Sequence, residues 1–218
     1  LISSNFLSSF VKLLFALPRP YWISTQVQPL GAETTFGIPS GHAQNAVALW
    51  GIMADRVRRR GASIAAFFLA FLIGFSRVYL GLHFVWDVVA GWLIGGLLLF
   101  AFMTLWNPVS AWITNQSPAR QIIIAFIASL IMIGLGAWQV TRLGEYVIPQ
   151  EWTDNALRSG AAPDPISMEN FITSAGTLFG LAAGLAWMAS RGGYQATGQQ
   201  VVRLDREPDV TISGVAEA

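Results

Sequence analysis

The sequence predicts an all-α, multi-pass transmembrane helical bundle, and three observations predict it. Of the 218 residues, 54% are hydrophobic and 11% are charged; a soluble domain carries about 25% charged residues. Mean hydropathy is +0.52. Apolar runs at 62–80, 84–106, 121–140 and 168–189 approach or reach the roughly 20 residues a helix needs to cross a bilayer. Net charge is only +1, so nucleic-acid binding has no electrostatic support. Cysteine is absent, which excludes disulfides, thiolate metal sites and cysteine nucleophiles.

Each element follows from local signals. Residues 1–17 read as the end of a helix that Pro18 and Pro20 stop. The chain opens on Leu1 without a methionine or a signal-peptide charge pattern, so a longer N-terminus is expected. Residues 18–41 form a loop with Pro, Gly, Ser, Thr and one acid, Glu33. Ser40 is the expected N-cap of a helix over 42–55, which leads into a basic turn of Arg56, Arg58, Arg59 and Arg60. The apolar helix 62–80 ends in Ser76-Arg77, and a turn at Gly81 leads to the span 84–106. A polar connector is expected over 107–119, with Pro108 and Pro118. Two further spans flank a polar segment, 141–167, in which Asp164 and Pro165 are placed as cap and first turn.

Gly176, Gly180 and Gly184 recur every fourth residue, a spacing that suits close helix contact in ordinary intramembrane packing. Trp22, Trp86, Trp106, Trp138 and Trp187 lie near span ends, where interfacial anchors and core packing are both open readings. Three regions result: a core over 1–106, two additional spans with their loop over 107–190, and a polar tail over 191–218 expected to be disordered. With the Arg56–Arg60 turn in the cytoplasm, Arg120, Arg191, Arg203 and Arg206 fall there too, while Arg142 and Arg158 fall opposite. That bias obeys the positive-inside rule and sends the loops at 18–41 and 81–83 to the non-cytoplasmic face.

The single lysine and both histidines sit in three short blocks, KLLFALPRP, PSGH and SRVYLGLHFVWD. Ionisable groups at membrane depth are expensive and mark functional sites. His83 and Asp87 are four apart at a helix start, so both point to one face. A carboxylate there accepts one imidazole N–H and leaves the other nitrogen as an outward lone pair. That arrangement serves a metal ligand, a general base or a nucleophile equally. Lys12, Arg19 and Arg77 add fixed cations, and a planar guanidinium fork matches the oxygens of a tetrahedral oxyanion. Ser40 offers a hydroxyl, Gly41 lets backbone N–H groups approach an anion, and the following helix adds its positive dipole end. His42 stands at that edge, free to give a proton to a leaving oxygen.

The order and internal spacing of the blocks, K-x6-RP, PSGH and SR-x5-H-x3-D, resemble the signature of the type 2 phosphatidic acid phosphatase superfamily. The resemblance covers roughly residues 1–106 and is complete at Lys12, Arg19, Pro20, Pro39, Ser40, Gly41, His42, Ser76, Arg77, His83 and Asp87. It implies catalytic roles for three residues: His83 attacks phosphorus and becomes phosphohistidine, Asp87 orients it, and His42 protonates the leaving oxygen. It implies that Lys12, Arg19, Ser40, Gly41 and Arg77 bind the phosphoryl oxygens, with no metal and no cofactor. The expected partners are a membrane lipid phosphate or diphosphate and the bilayer, and the expected location is a bacterial plasma membrane with a non-cytoplasmic site. Membrane members usually carry two spans before the first block, where this chain has part of one. Two readings compete with a hydrolase: a lipid-to-lipid phosphotransferase, and a non-catalytic membrane binding or transport protein that kept the fold.

Overall fold

The computed structural model describes residues 1–192, so the polar tail, with Arg203 and Arg206, lies outside the described residues apart from its first two positions. Eight helices and no strand occur among the described residues: α1 (Ile2–Phe15), α2 (Pro20–Ile23), α3 (Gly41–Val57), α4 (Arg60–Tyr79), α5 (Val85–Thr114), α6 (Pro118–Arg142), α7 (Gln150–Arg158) and α8 (Glu169–Ser190). Helices α4, α5, α6 and α8 are long and apolar enough to cross a membrane. Their outward faces are large apolar side chains: Phe67 is 76% exposed and Phe100 is 70%. In water such faces would be untenable; against lipid tails they are the expected surface.

Helix α1 stands between two groups of helices. On one side α3 packs against both α4 and α5; on the other α6 pairs with α8. The α3–α5 contact depends on missing side chains. A Cβ at Gly91 would meet the Ser40 carbonyl oxygen at 2.6 Å, and one at Gly95 would press on the Gln44 carbonyl, so two glycines one turn apart let the backbones touch. Gly91→Ala is therefore expected to lower stability by about 1–3 kcal/mol, read as a lower unfolding temperature in detergent micelles, because α5 must retreat from the turn that carries Ser40. An unchanged unfolding temperature would show that the interface has slack.

Three sequence expectations are corrected, and one open reading is decided. First, α5 runs through Pro108 to Thr114, so the connector expected over 107–119 shrinks to 115–117. Proline removes only the hydrogen bond to the Thr104 carbonyl, and helix is the conformation that satisfies the remaining backbone groups in apolar surroundings. Second, Asp164 and Pro165 stand before α8 rather than opening it. Asp164 N–H donates to the Thr34 carbonyl (3.0 Å), and Ser167 Oγ accepts the N–H of Glu169 (3.2 Å). Third, Gly176, Gly180 and Gly184 face open space among the described residues, since a Cβ at any of them would meet nothing within 4 Å. Fourth, Trp22 is no interfacial anchor: it is fully buried, against Phe36 and Trp152. Trp86, Trp106, Trp138 and Trp187 do face outward.

The core under the site is built from Leu13, Tyr21, Trp22, Phe36, Leu82, Ala156 and Phe171. It joins the end of α1, the loop after it and the segment beyond α6. Helix α7, unforeseen in the polar segment 141–167, packs on α2, and Asn155 Nδ2 donates to the Trp22 carbonyl (3.0 Å). Arg142 Nη2 donates to the Leu13 carbonyl (2.8 Å), covering orphan carbonyls at the end of α1. The C-terminal half of the chain thus braces the loop that carries the candidate site.

Candidate active site

Chain direction brings the motif blocks to one end of the bundle. Helices α1 and α4 end there, at Lys12 and Arg77; α3 and α5 begin there, at His42 and Asp87. The basic turn between α3 and α4 lies at the other end. Helix α1 stops because Ala16 adopts a left-handed conformation, with its N–H on the Lys12 carbonyl (2.9 Å), and prolines follow. Ser40 caps α3 by accepting the Ala43 N–H (3.5 Å), while its own N–H donates to the Asp87 carbonyl (2.8 Å). That second bond locks the PSGH turn to the first turn of α5.

The tightest cluster is Arg19, His83 and Asp87, all buried. Arg19 Nη1 lies 3.1 Å from His83 Nε2, and His83 Nδ1 lies 3.2 Å from Asp87 Oδ2. Arginine only donates, so Nε2 is the acceptor and Nδ1 carries the proton that goes to Asp87. The contacts therefore fix the tautomer, and the Nε2 lone pair points at the cation. Asp87 Oδ2 also accepts the Phe84 N–H (3.0 Å), which satisfies the helix start and holds the carboxylate still. The backbone helps: the Arg77 carbonyl accepts the N–H groups of Leu82 (3.1 Å) and His83 (3.3 Å). Burial lowers the His83 pKa to about 4; the hydrogen bond to Asp87 opposes that shift and the Arg19 charge adds to it. The ring is neutral at pH 7.

Arg19 is saturated. Nε donates to the Thr35 carbonyl (2.6 Å) and Nη1 also to the Leu82 carbonyl (3.0 Å). Nη2 donates to Glu33 Oε2 (2.6 Å), Thr35 Oγ1 (3.1 Å) and the Phe36 carbonyl (3.2 Å). Lys12 Nζ donates to the Phe36 carbonyl (2.8 Å) and Thr35 Oγ1 (2.9 Å), which leaves its third N–H without a partner among the described residues. Glu33 and Thr35 are the residues that sequence reasoning passed over. Their only signal was that Glu33 is the sole acid of the loop 18–41. Burial raises the Glu33 carboxyl, but the charges of Arg19 and Lys12 outweigh it and hold the group below its ordinary range. It stands as a carboxylate where an anionic ligand would compete for the same guanidinium.

The other candidates are placed more loosely. His42 is exposed and lines a cavity of about 300 Å³ together with Lys12, Gly41 and Glu33. The Arg77 guanidinium bonds only Ser76 Oγ (3.4 Å) among the described residues. Lys12, Arg19, His83 and Asp87 are thus joined directly or through Thr35, Ser40 through backbone, and His42 and Arg77 stand free of side-chain bonds to them.

Fold and site together define a helical integral membrane protein with a buried, cation-facing His–Asp pair. The chain belongs to the PAP2 superfamily, whose pattern it matches over residues 1–111. It is 40% identical over 81 residues to phosphatidylglycerophosphatase B of Bacillus subtilis, which covers 33% of this chain and 40% of that protein. It is 36% identical over 83 residues to lipid A 4'-phosphatase of Bacteroides thetaiotaomicron, 38% of this chain and 37% of that one. It is 31% identical over 112 residues to undecaprenyl-diphosphatase BcrC of Bacillus subtilis, 49% and 56% respectively. The matches thus span 37% to 56% of these relatives' lengths. No solved structure matches the chain.

Proposed function

We propose that this chain is a membrane phosphatase that releases phosphate from a lipid phosphate or diphosphate at the non-cytoplasmic face. The observation that carries the reading is the array Arg19–His83–Asp87, which presents a neutral imidazole lone pair to a cation in a buried setting. The relatives named above are phosphatases of lipid phosphates or diphosphates by name.

In this reading His83 Nε2 attacks phosphorus as the P–O bond to the leaving group breaks. His42 donates its proton to the departing oxygen, and Asp87 supports the charge that develops on the imidazole. Lys12, Arg19 and Arg77 neutralise the equatorial oxygens, and Ser40 and Gly41 add donors at the start of α3. Water then attacks the phosphohistidine, with His42 taking the proton, and frees His83. Phosphoryl transfer depends mainly on positioning and charge stabilisation, which cations and a helix terminus supply. The anion takes over Arg19 donors that Glu33 occupies in the free protein. Phosphate release from a panel of lipid phosphates by the purified protein tests the reading; label recovered on an acceptor lipid instead of in phosphate would identify a phosphotransferase.

The charged groups proposed to surround the phosphoryl are cations, not a carboxylate cluster of the kind magnesium prefers. Activity is expected to survive EDTA and to be inhibited by orthovanadate, which imitates a five-coordinate phosphorus. Loss of activity on chelation, restored by magnesium, would overturn the metal-free step.

A further inference from the structure

The cavity beside Lys12 and His42 is continued by groups that the phosphoryl-transfer roles leave unused. Its volume, about 300 Å³, is at the lower end of the ~300–1,000 Å³ of ligand pockets. Asn5, Ser8 and Ser9 of α1 form one wall, and Asn170, Thr173 and Ser174 of α8 form another. One turn away most polar groups are paired: Ser4 Oγ donates to Asn45 Oδ1 (2.6 Å), and Gln44 Nε2 donates to the Ser4 carbonyl (2.7 Å), with Gln44 Oε1 left without a partner among the described residues. Within the cavity they are not. The side chains of Ser8, Ser9, Asn170, Thr173 and Ser174 make no hydrogen bond to any other described residue, and Asn5 uses only its Oδ1, accepting from Asn45.

Asn5, Asn170 and Thr173 are exposed and can be hydrated, but Ser8 and Ser174 are buried with hydroxyls that no described residue pairs, and a buried hydroxyl without a partner is unfavourable unless a ligand or water serves it. Charge narrows the class of ligand. The lysine of the lining, Lys12, is already assigned to the phosphoryl group and its histidine, His42, to the leaving oxygen, and Glu33 is the acid. A second phosphate in this space would meet a carboxylate and find no cation of its own. Neutral hydroxyls would find donors and acceptors on two helices, and Glu33 as a strong acceptor.

We infer that this cavity is the leaving-group subsite, and that the leaving group is a polyol, a glycerol or sugar unit whose phosphomonoester is cleaved, rather than a prenyl diphosphate. The inference rests on the phosphatase reading, since the cavity starts at His42, where the leaving oxygen departs. A quarter of its lining, Asn170, Thr173 and Ser174, belongs to α8, beyond the residues 1–111 that match the family, so α8 adds to the selectivity.

The test compares kcat/KM of the purified full chain in micelles for two esters, octyl glucoside 6-phosphate and octyl phosphate. Wild type is expected to prefer the glucoside by about tenfold or more, since one well-made hydrogen bond is worth about that factor. Thr173→Val with Ser174→Ala, and separately Asn170→Leu at an exposed position, are expected to shrink this ratio by about tenfold. Equal losses on both esters would mean that α8 acts structurally, and an unchanged ratio would mean that α8 does not touch the substrate; either overturns the inference. Hydrolysis of octyl phosphate with no preference for the glucoside would remove the subsite and leave the phosphatase reading standing. Hydrolysis of neither ester, nor of p-nitrophenyl phosphate, would remove both.

Discussion

Asp87→Asn is expected to lower kcat by about 10³-fold while leaving the fold intact. The fold should survive because the bond that locks the PSGH turn to α5 runs from the Ser40 N–H to the Asp87 backbone carbonyl, which asparagine keeps. Chemistry should suffer for two reasons. In the native site the single carboxylate oxygen Oδ2 accepts from both His83 Nδ1 and the Phe84 N–H, and the amide oxygen that replaces it is a weaker acceptor for both. The neutral amide also cannot stabilise the positive charge that grows on the imidazole as Nε2 bonds to phosphorus. The pH profile adds a signed expectation. His83 must be neutral to attack, so the acid limb of kcat/KM for the free protein lies where its lowered pKa places it, at about 4. The Asp87 hydrogen bond is a contribution that raises this pKa, so Asp87→Asn should move the limb to lower pH even as the plateau falls. Single-turnover rates across pH would measure both. A kcat within threefold of wild type would mean that Asp87 serves only the start of α5.

The site was legible because its residues are chemically conspicuous. In a chain with one lysine and two histidines, the three that matter cannot hide, and each lies within a few residues of a proline, glycine or serine that ends or starts a helix. Local rules carry that far: the Ser40 cap, the stop after α1 and the four-residue spacing of His83 and Asp87 all appear in the structure. What local rules miss is what distant segments do to one another. Glu33 reaches Arg19 only because the loop folds back over α1, and Trp22 is buried because α7, a helix too polar to be read as a span, closes over it. The connector expected over 107–119 rests on polar residues and prolines, a rule calibrated on water, where a broken helix can be solvated; in apolar surroundings α5 continues through Pro108. The Gly176–Gly184 ladder and the Gly91–Gly95 pair show the limit from the other side. The same spacing gives open space in one helix and backbone contact in the other, and only the partner helix decides which.

The largest separation is expected between the two histidines. In the proposed mechanism His83 is the nucleophile, buried with its tautomer fixed, and His42 is the acid that serves the leaving group from an exposed position. Labelled phosphate from substrate should therefore appear on His83 during turnover as an acid-labile adduct and vanish in His83→Ala. In His42→Ala the outcome should depend on the leaving group. An ester with a good leaving group needs no protonation, so it should still phosphorylate the protein, while an alkyl ester, whose alkoxide is a poor leaving group, should react slower by about 10²–10⁴-fold. The labelled intermediate should also persist in His42→Ala, because the same histidine no longer accepts the proton of the attacking water. Rapid quench with counting of acid-labile label measures both the formation and the decay. If His42→Ala abolishes labelling from the good leaving group as thoroughly as His83→Ala, in a protein that still binds vanadate, the division of roles is wrong. Direct attack by water, or a nucleophile at His42 itself, would then replace it, and the contact between Arg19 and His83 Nε2 would have to be read as a phosphate-binding brace instead of a poised nucleophile.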